Sequence, residues 1–134
     1  MDKHRQARPV MSESHEDYLE SIVRLGGTDK TPVRSVDVAT DLGVSKASVS
    51  KAVSSLKAAG MLDQPYYGDI TLTSVGYEYG RKVLDHHMLL FGFLHDILGI
   101  DEETADTEAC LIEHDISDAS YEKWIAYIKE LESK

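Results

Sequence analysis

Residues 35–62, SVDVATDLGVSKASVSKAVSSLKAAGML, decide how this chain is read. Val36, Val38, Ala39 and Leu42 give a short helix from about Ser35 to Leu42, which Gly43 stops. Ser45 then caps a second helix, whose apolar positions Val49, Val53 and Leu56 recur at helical spacing as far as Gly60. Helix, short glycine-containing turn, helix is the layout of a DNA-binding helix-turn-helix. Small Ala39, with Val49 and Val53 opposite, is what lets two short helices cross closely.

The outer face of the second of these helices carries Ser45, Lys46, Ser48, Ser50, Lys51, Ser54, Ser55 and Lys57, and no acidic residue occurs from Val44 to Met61. Short hydroxyls can approach base edges and phosphates, and lysines neutralise phosphate, so the face has the composition of a recognition helix. Taken alone it reads equally well as a solvated Ser/Lys surface. Its setting moves the reading towards DNA. The following stretch, MLDQPYYGDITLTSVG (residues 61–76), holds two short β-like runs around Pro65 and Gly68, a hairpin where a wing would lie. Ser35 and Tyr67 join Ser45, Lys46, Ser48, Ser50 and Lys51 as candidate DNA contacts, one at the start of the first helix and one in the wing.

Upstream, residues 1–12 lack periodicity and contain Pro9, which predicts a mobile arm. Ser14, ahead of Glu16 and Asp17, is the expected N-cap of a helix with Tyr18, Ile22 and Leu25 on its apolar side, ended by Gly26-Gly27. Downstream, Thr73-Ser74 opens a long helix expected to run to Gly99, with Val83, Leu84, His87, Leu90, Phe91, Leu94 and Leu98 on one stripe. Two more helices follow, about Glu102–His114 and Ser117–Leu131. The expected organisation is a mainly α chain: an arm at 1–12, a winged helix-turn-helix at 13–74, and a helical metal-binding and dimerisation domain at 75–134.

The chain has 134 residues and a net charge of −10, which argues against a nucleic-acid partner until its distribution is considered. Residues 1–82 carry 11 Lys+Arg and 11 Asp+Glu, whereas residues 83–134 carry 3 and 13. A neutral reading end thus precedes an acidic end suited to cations or a partner. No apolar run approaches the length of a membrane span and the N-terminus has no signal-peptide core, so a cytoplasmic protein is expected, with no membrane partner. The single cysteine, Cys110, has no partner within the chain for a disulfide.

In Cys110-Leu111-Ile112-Glu113-His114, residues at i, i+3 and i+4 put a thiol, a carboxylate and an imidazole on one side of a helix. Singly, each has a plainer reading: a small buried thiol, a surface carboxylate. His87, on the stripe of the long helix, reads first as a hydrogen-bonded core histidine, and Asp17 with Glu20 as a charged helix start complementing the dipole.

Taken together, the segments HEDYLESI (15–22), the helix-turn-helix above, DITLTSVG (69–76), HHMLLFGFLHDILGID (86–101) and EACLIEHDISD (108–118) resemble the diphtheria-toxin-repressor and manganese-transport-regulator family of metal-dependent repressors. The resemblance runs from about Ser14 to Leu131. It implies a metal site of Asp17 and Glu20 from the first helix, His87 from the long helix, and Cys110, Glu113 and His114 from the next. It implies a metal-dependent repressor that is not an enzyme, binds a palindromic operator in double-stranded DNA as a homodimer, and controls genes of metal uptake. It also implies a short form without an SH3-like third domain. Two positions depart from the family's branches. Cys110 stands where the manganese branch has a bridging carboxylate and the iron branch a cysteine, and Phe91 where the iron branch has the carboxylate of an ancillary site. Carboxylates suit hard Mn(II) while the thiolate adds softness, so Fe(II) is expected slightly ahead of Mn(II).

Three other readings stay open at this level. A winged-helix regulator answering an oxidant or a small organic ligand would show no metal dependence. A metal-using enzyme would place its active site at the acidic cluster, although no further nucleophile or phosphate loop accompanies it. A helical adaptor would leave the Lys/Ser helix without a role.

Overall fold

The computed structural model describes residues 12–66 and 68–133. The elements in chain order are α1 (Glu13–Arg24), β1 (Val33–Arg34), α2 (Ser35–Leu42), α3 (Lys46–Ala58), β2 (Leu62–Asp63), β3 (Asp69–Leu72), α4 (Ser74–Gly92), a π-helical segment (Phe93–Ile97), α5 (Glu102–Glu113) and α6 (Asp118–Glu132). By packing the chain falls into two compact units, residues 12–84 and 85–133, and the division lies inside α4.

In the N-terminal unit the helix ends follow side-chain chemistry. Ser12 caps α1 by accepting from the His15 amide at 3.2 Å, two residues before the expected Ser14, which lies inside the helix. The earlier cap wins because it sets Glu13 and Glu16 in the first turn, where acidic residues complement the dipole. Ser45 caps α3 as its sequence requires, accepting from the Ser48 amide at 3.0 Å. Gly43 ends α2 at φ 68°, a left-handed conformation that glycine adopts without a Cβ clash.

Leu19, Ile22, Val38, Val49 and Leu56, all at most 1 % exposed, are the helical contribution to this unit's core. Leu25, expected on the apolar side of α1, is exposed, and the fully buried Leu19 takes that place. The sheet is three-stranded and antiparallel in the order β1-β3-β2, with Val33 opposite Ile70 and Leu62 opposite Leu72. Its inward residues Ile70 and Leu72 alternate with outward Asp69 and Thr71, so the wing seals one side of the helices. The beginning of α4 belongs to this unit. Thr73 Oγ1 accepts from the Gly76 amide, and Gly76 is so close to the Met61 carbonyl that a Cβ there would lie 1.7 Å from the oxygen. No side chain fits at that point, so the first turn of α4 lies directly on the chain that leads into β2.

In the C-terminal unit Leu90 and Leu94 pack on Ala105 and Ala109, with Phe91, Phe93, Ile100, Ile112 and Ile116 around them. Alanines at i and i+4 make one face of α5 nearly flat, which brings its backbone close to α4 and the π-helical segment. The long helix does not stay α-helical to Gly99. From Phe93 it widens, with the Leu98 amide donating to the Phe93 carbonyl at 3.0 Å. His95 Nδ1 lies 2.8 Å from the Ile100 carbonyl oxygen, which closes the turn into α5.

Candidate metal centre and nucleic-acid interface

The flat face of α5 carries its next polar residues to the side facing α4. Cys110 is part-exposed, whereas Glu113 and the C-capping His114 are buried, at 0 % and 3 % exposure. One ligand atom each from Cys110, Glu113 and His114 lies within 4.8 Å of the others. This brings together a thiol sulfur, a carboxylate oxygen and an imidazole nitrogen, as the i, i+3, i+4 spacing requires.

His87 joins them from α4, its Nδ1 2.7 Å from Glu113 Oε1 and its Nε2 2.8 Å from Asp106 Oδ1. The histidine that fills the apolar stripe is its neighbour His86, 1 % exposed and stacked on Tyr121 with ring centroids 3.5 Å apart. Val83, Leu90 and Leu94 of the expected stripe are buried, whereas Leu98 is exposed, and His87 points to carboxylates instead. Asp106 went unnoticed in the sequence. Its spacing of four from Cys110 and seven from Glu113 was the available signal, because those offsets return to one helix face.

The other oxygen of Glu113 provides a test of fit for a metal. Oε2 is buried with no hydrogen-bond partner among the described residues, and His114 Nε2, at 3.6 Å, lies beyond hydrogen-bond range. A buried carboxylate oxygen left in this way is costly unless something satisfies it. A divalent cation beside Glu113, His114 and Cys110 would do so, and the donor set is one that transition metals take.

The two candidate ligands of α1 lie one turn apart in the N-terminal unit. Asp17 is half-buried and Glu20 is buried, 4 % exposed. A solvated helix start does not describe Glu20. Arg24 Nη1 donates to Glu20 Oε2 at 3.0 Å, and Nη2 donates to Asp41 Oδ2 on α2 at 2.6 Å. Ser21 Oγ also donates to Asp41 Oδ2, at 2.7 Å. Burial pushes the Asp41 carboxyl up, but the hydrogen bonds from Arg24 and Ser21 outweigh it and hold the group below its ordinary range. The network fastens α1 to the first helix of the helix-turn-helix. Glu16, which the sequence gave no reason to bury, is 1 % exposed and accepts from the Tyr79 hydroxyl at 3.0 Å.

On the candidate reading face, Ser45, Lys46, Ser48, Ser50 and Lys51 are all exposed. The hydroxyls of Ser45 and Ser48 bond to each other at 3.0 Å as part of the α3 cap, which leaves Lys46, Ser50 and Lys51 with the greater freedom to reach outward. Ser35, half-buried, opens α2 and donates its amide to the Gly68 carbonyl at 2.8 Å, tying α2 to the wing. Tyr67 and the arm at residues 1–11 lie outside the described residues. Among the described residues no helix is long and apolar enough to cross a membrane.

Comparison with known proteins agrees with both halves. The N-terminal DNA binding domain of the iron dependent repressors matches residues 10–69, and their metal binding and dimerisation domain matches residues 73–134. An uncharacterised HTH-type transcriptional regulator of Methanocaldococcus jannaschii is 36 % identical over 125 residues, covering 92 % of this chain and 99 % of that protein. The HTH-type transcriptional regulator MntR of Bacillus subtilis is 38 % identical over 104 residues, covering 78 % of this chain and 72 % of its own. A manganese-dependent transcriptional repressor solved in complex with manganese matches at a TM-score of 0.72 and 27 % identity, over 85 % of this chain. That match covers 52 % of the solved chain, so the present chain spans about half its length. These relatives are transcriptional regulators rather than enzymes. The chain therefore belongs to the iron dependent repressor family, as a metal-dependent DNA-binding repressor built of a winged helix-turn-helix and a helical metal-binding and dimerisation domain.

Proposed function

We propose that this chain represses transcription in the cytoplasm when Fe(II) or Mn(II) is held by Asp17, Glu20, His87, Cys110, Glu113 and His114. The observation that carries the reading is the buried, half-satisfied Glu113 carboxylate between His87 and His114, beside the Cys110 thiol. Asp17 and Glu20 enter through the resemblance of HEDYLESI to the family, and the burial of Glu20 beside Arg24 supports a role other than solvation. The bound metal supplies the positive charge that lets these acidic, thiol and imidazole groups be held together.

The rest is done by the residues of the chain. Four of the proposed ligands belong to the acidic C-terminal part and two to α1 of the DNA-reading unit, so ligation biases the DNA-competent arrangement. Arg24, through Glu20 and Asp41, makes α1 and α2 move as one piece. A preference of about 1–3 kcal/mol for the DNA-competent state raises DNA affinity roughly 5- to 150-fold. Lys46 and Lys51 neutralise phosphates while Ser35, Ser45, Ser48, Ser50 and Tyr67 make permissive contacts. The repressor acts as a homodimer on a palindromic operator, its recognition helices about 34 Å apart or a multiple of that. An open apolar groove of about 310 Å³, lined by Phe93, Trp124, Tyr127 and Ile128, supports dimerisation through the C-terminal unit. The regulated genes are those of metal uptake.

The thiolate of Cys110 places Fe(II) ahead of Mn(II). Anaerobic titration of the metal-free protein with Fe(II), Mn(II) and Zn(II), against a labelled promoter fragment from its own genomic neighbourhood, tests both parts. DNA binding is expected only with metal, with Fe(II) effective at lower concentration than Mn(II). Equal binding in the presence of chelator would remove the metal switch and favour a regulator that answers another signal.

A further inference from the structure

His87 in the C-terminal unit is engaged at both ring nitrogens by carboxylates of one helix. Nδ1 lies 2.7 Å from Glu113 Oε1 and Nε2 lies 2.8 Å from Asp106 Oδ1. We infer that Asp106 is a positioning residue for the metal centre: it accepts the Nε2 proton of His87, so that a metal entering beside Glu113 meets Nδ1. The inference rests on the reading of His87 and Glu113 as ligands and adds a residue that reading did not contain.

A neutral imidazole carries one proton, and the nitrogen that ligates a metal must be the one without it. Which nitrogen that is depends on the hydrogen bond made by the other, and a carboxylate behind a ligating histidine is a common way of fixing it. Here the two sides of the ring differ. Glu113 is buried, with a second oxygen that lacks a hydrogen-bond partner among the described residues, whereas the Asp106 side chain is 66 % exposed. The ligating side is the one shared with Glu113, His114 and Cys110. The outer side is left for Asp106, an acceptor-only group that is satisfied by a proton on Nε2.

The fold itself makes little use of this pair. An ion pair with a largely exposed partner adds little to stability, and Ala105 and Ala109 already seat α5. The hydrogen bond instead holds the ring plane of His87 and keeps the proton on Nε2 when Nδ1 takes a metal. Its loss is therefore read in metal affinity, in a fold that stays intact.

The test uses the full-length protein with Mn(II) as the probe, comparing wild type, Asp106→Ala, Asp106→Asn and His87→Ala by competition with a chelator of known affinity. Asp106→Ala is expected to lower Mn(II) affinity about 10- to 100-fold, with an unfolding midpoint close to that of wild type. Asp106→Asn, whose amide oxygen can still accept from Nε2, is expected to stay within about three-fold of wild type. If Asp106→Ala binds Mn(II) like wild type while His87→Ala has lost affinity, the inference fails and the ligand assignment stands. An Asn variant as weak as the Ala variant would show that charge matters rather than the hydrogen bond, and would also overturn it. If His87→Ala itself binds like wild type, His87 is not a ligand and the inference falls with that reading.

Discussion

Glu113→Gln and His114→Ala are each expected to abolish metal-stimulated DNA binding, removing the whole roughly 5- to 150-fold effect, without unfolding the protein. Glu113 is completely buried, and its two oxygens do different things. Oε1 faces His87 Nδ1 at 2.7 Å, whereas Oε2 has no hydrogen-bond partner among the described residues. Glutamine keeps the volume and one acceptor but loses the anionic character that a hard or borderline cation requires. Loss of a direct ligand should cost at least as much metal affinity as loss of a supporting contact, roughly 100-fold or more. Glutamine keeps the buried volume, and its amide can pair with either tautomer of His87, so the metal-free variant should stay folded. Metal affinity by chelator competition, DNA binding by anisotropy and a thermal melt check the three statements separately. An unchanged metal response in either variant would show that these residues are structural.

The opposite pattern is expected from Lys46→Ala combined with Lys51→Ala. Both lysines are exposed on α3, and neither makes a core contact there, because Val49, Ala52, Val53 and Leu56 supply the buried side of that helix. Each lost phosphate contact should lower the slope of log affinity against log salt by about 0.9, so the double variant should flatten it by about 2. Between 1 M and 0.1 M salt that slope is worth roughly eight-fold per contact, which gives about 60-fold weaker DNA binding at 0.1 M. Metal affinity in the absence of DNA should not change. A double variant that binds DNA normally would move the reading face away from α3, and one that loses metal would show the two functions to be misplaced.

How much of this was legible in the sequence differs by element. The helix-turn-helix was readable because its signals are local: Ser45 caps, Gly43 takes the left-handed conformation, and the apolar positions keep helical spacing. The strand β1 was not. It is two residues long, and Val33 becomes a strand residue only by pairing with Ile70, a partner 37 positions away. The widening of the long helix at Phe93 was also invisible, because Phe93, Leu94 and Ile97 continue an apolar pattern that suits an α-helix equally well. That continuity led to the expectation of an unbroken helix to Gly99. The candidate metal residues on α5 were legible as a pattern, since i, i+3 and i+4 lie on one side of any helix. What a pattern could not supply was which of two adjacent histidines is buried. His86 packs on Tyr121, 35 residues on, and His87 is left for Glu113 and Asp106. Glu20 was ambiguous for the same reason, its burial and its bond to Arg24 being consequences of packing rather than of composition.

In the proposed mechanism one equilibrium couples metal and DNA, and coupling of that kind is reciprocal. The most direct measurement is the affinity of the protein for Mn(II) or Fe(II), determined anaerobically at fixed pH and salt, with and without a saturating operator duplex. DNA is expected to tighten metal binding by the same factor, within roughly 5- to 150-fold, by which metal tightens DNA binding. A metal affinity that the operator leaves unchanged would contradict it.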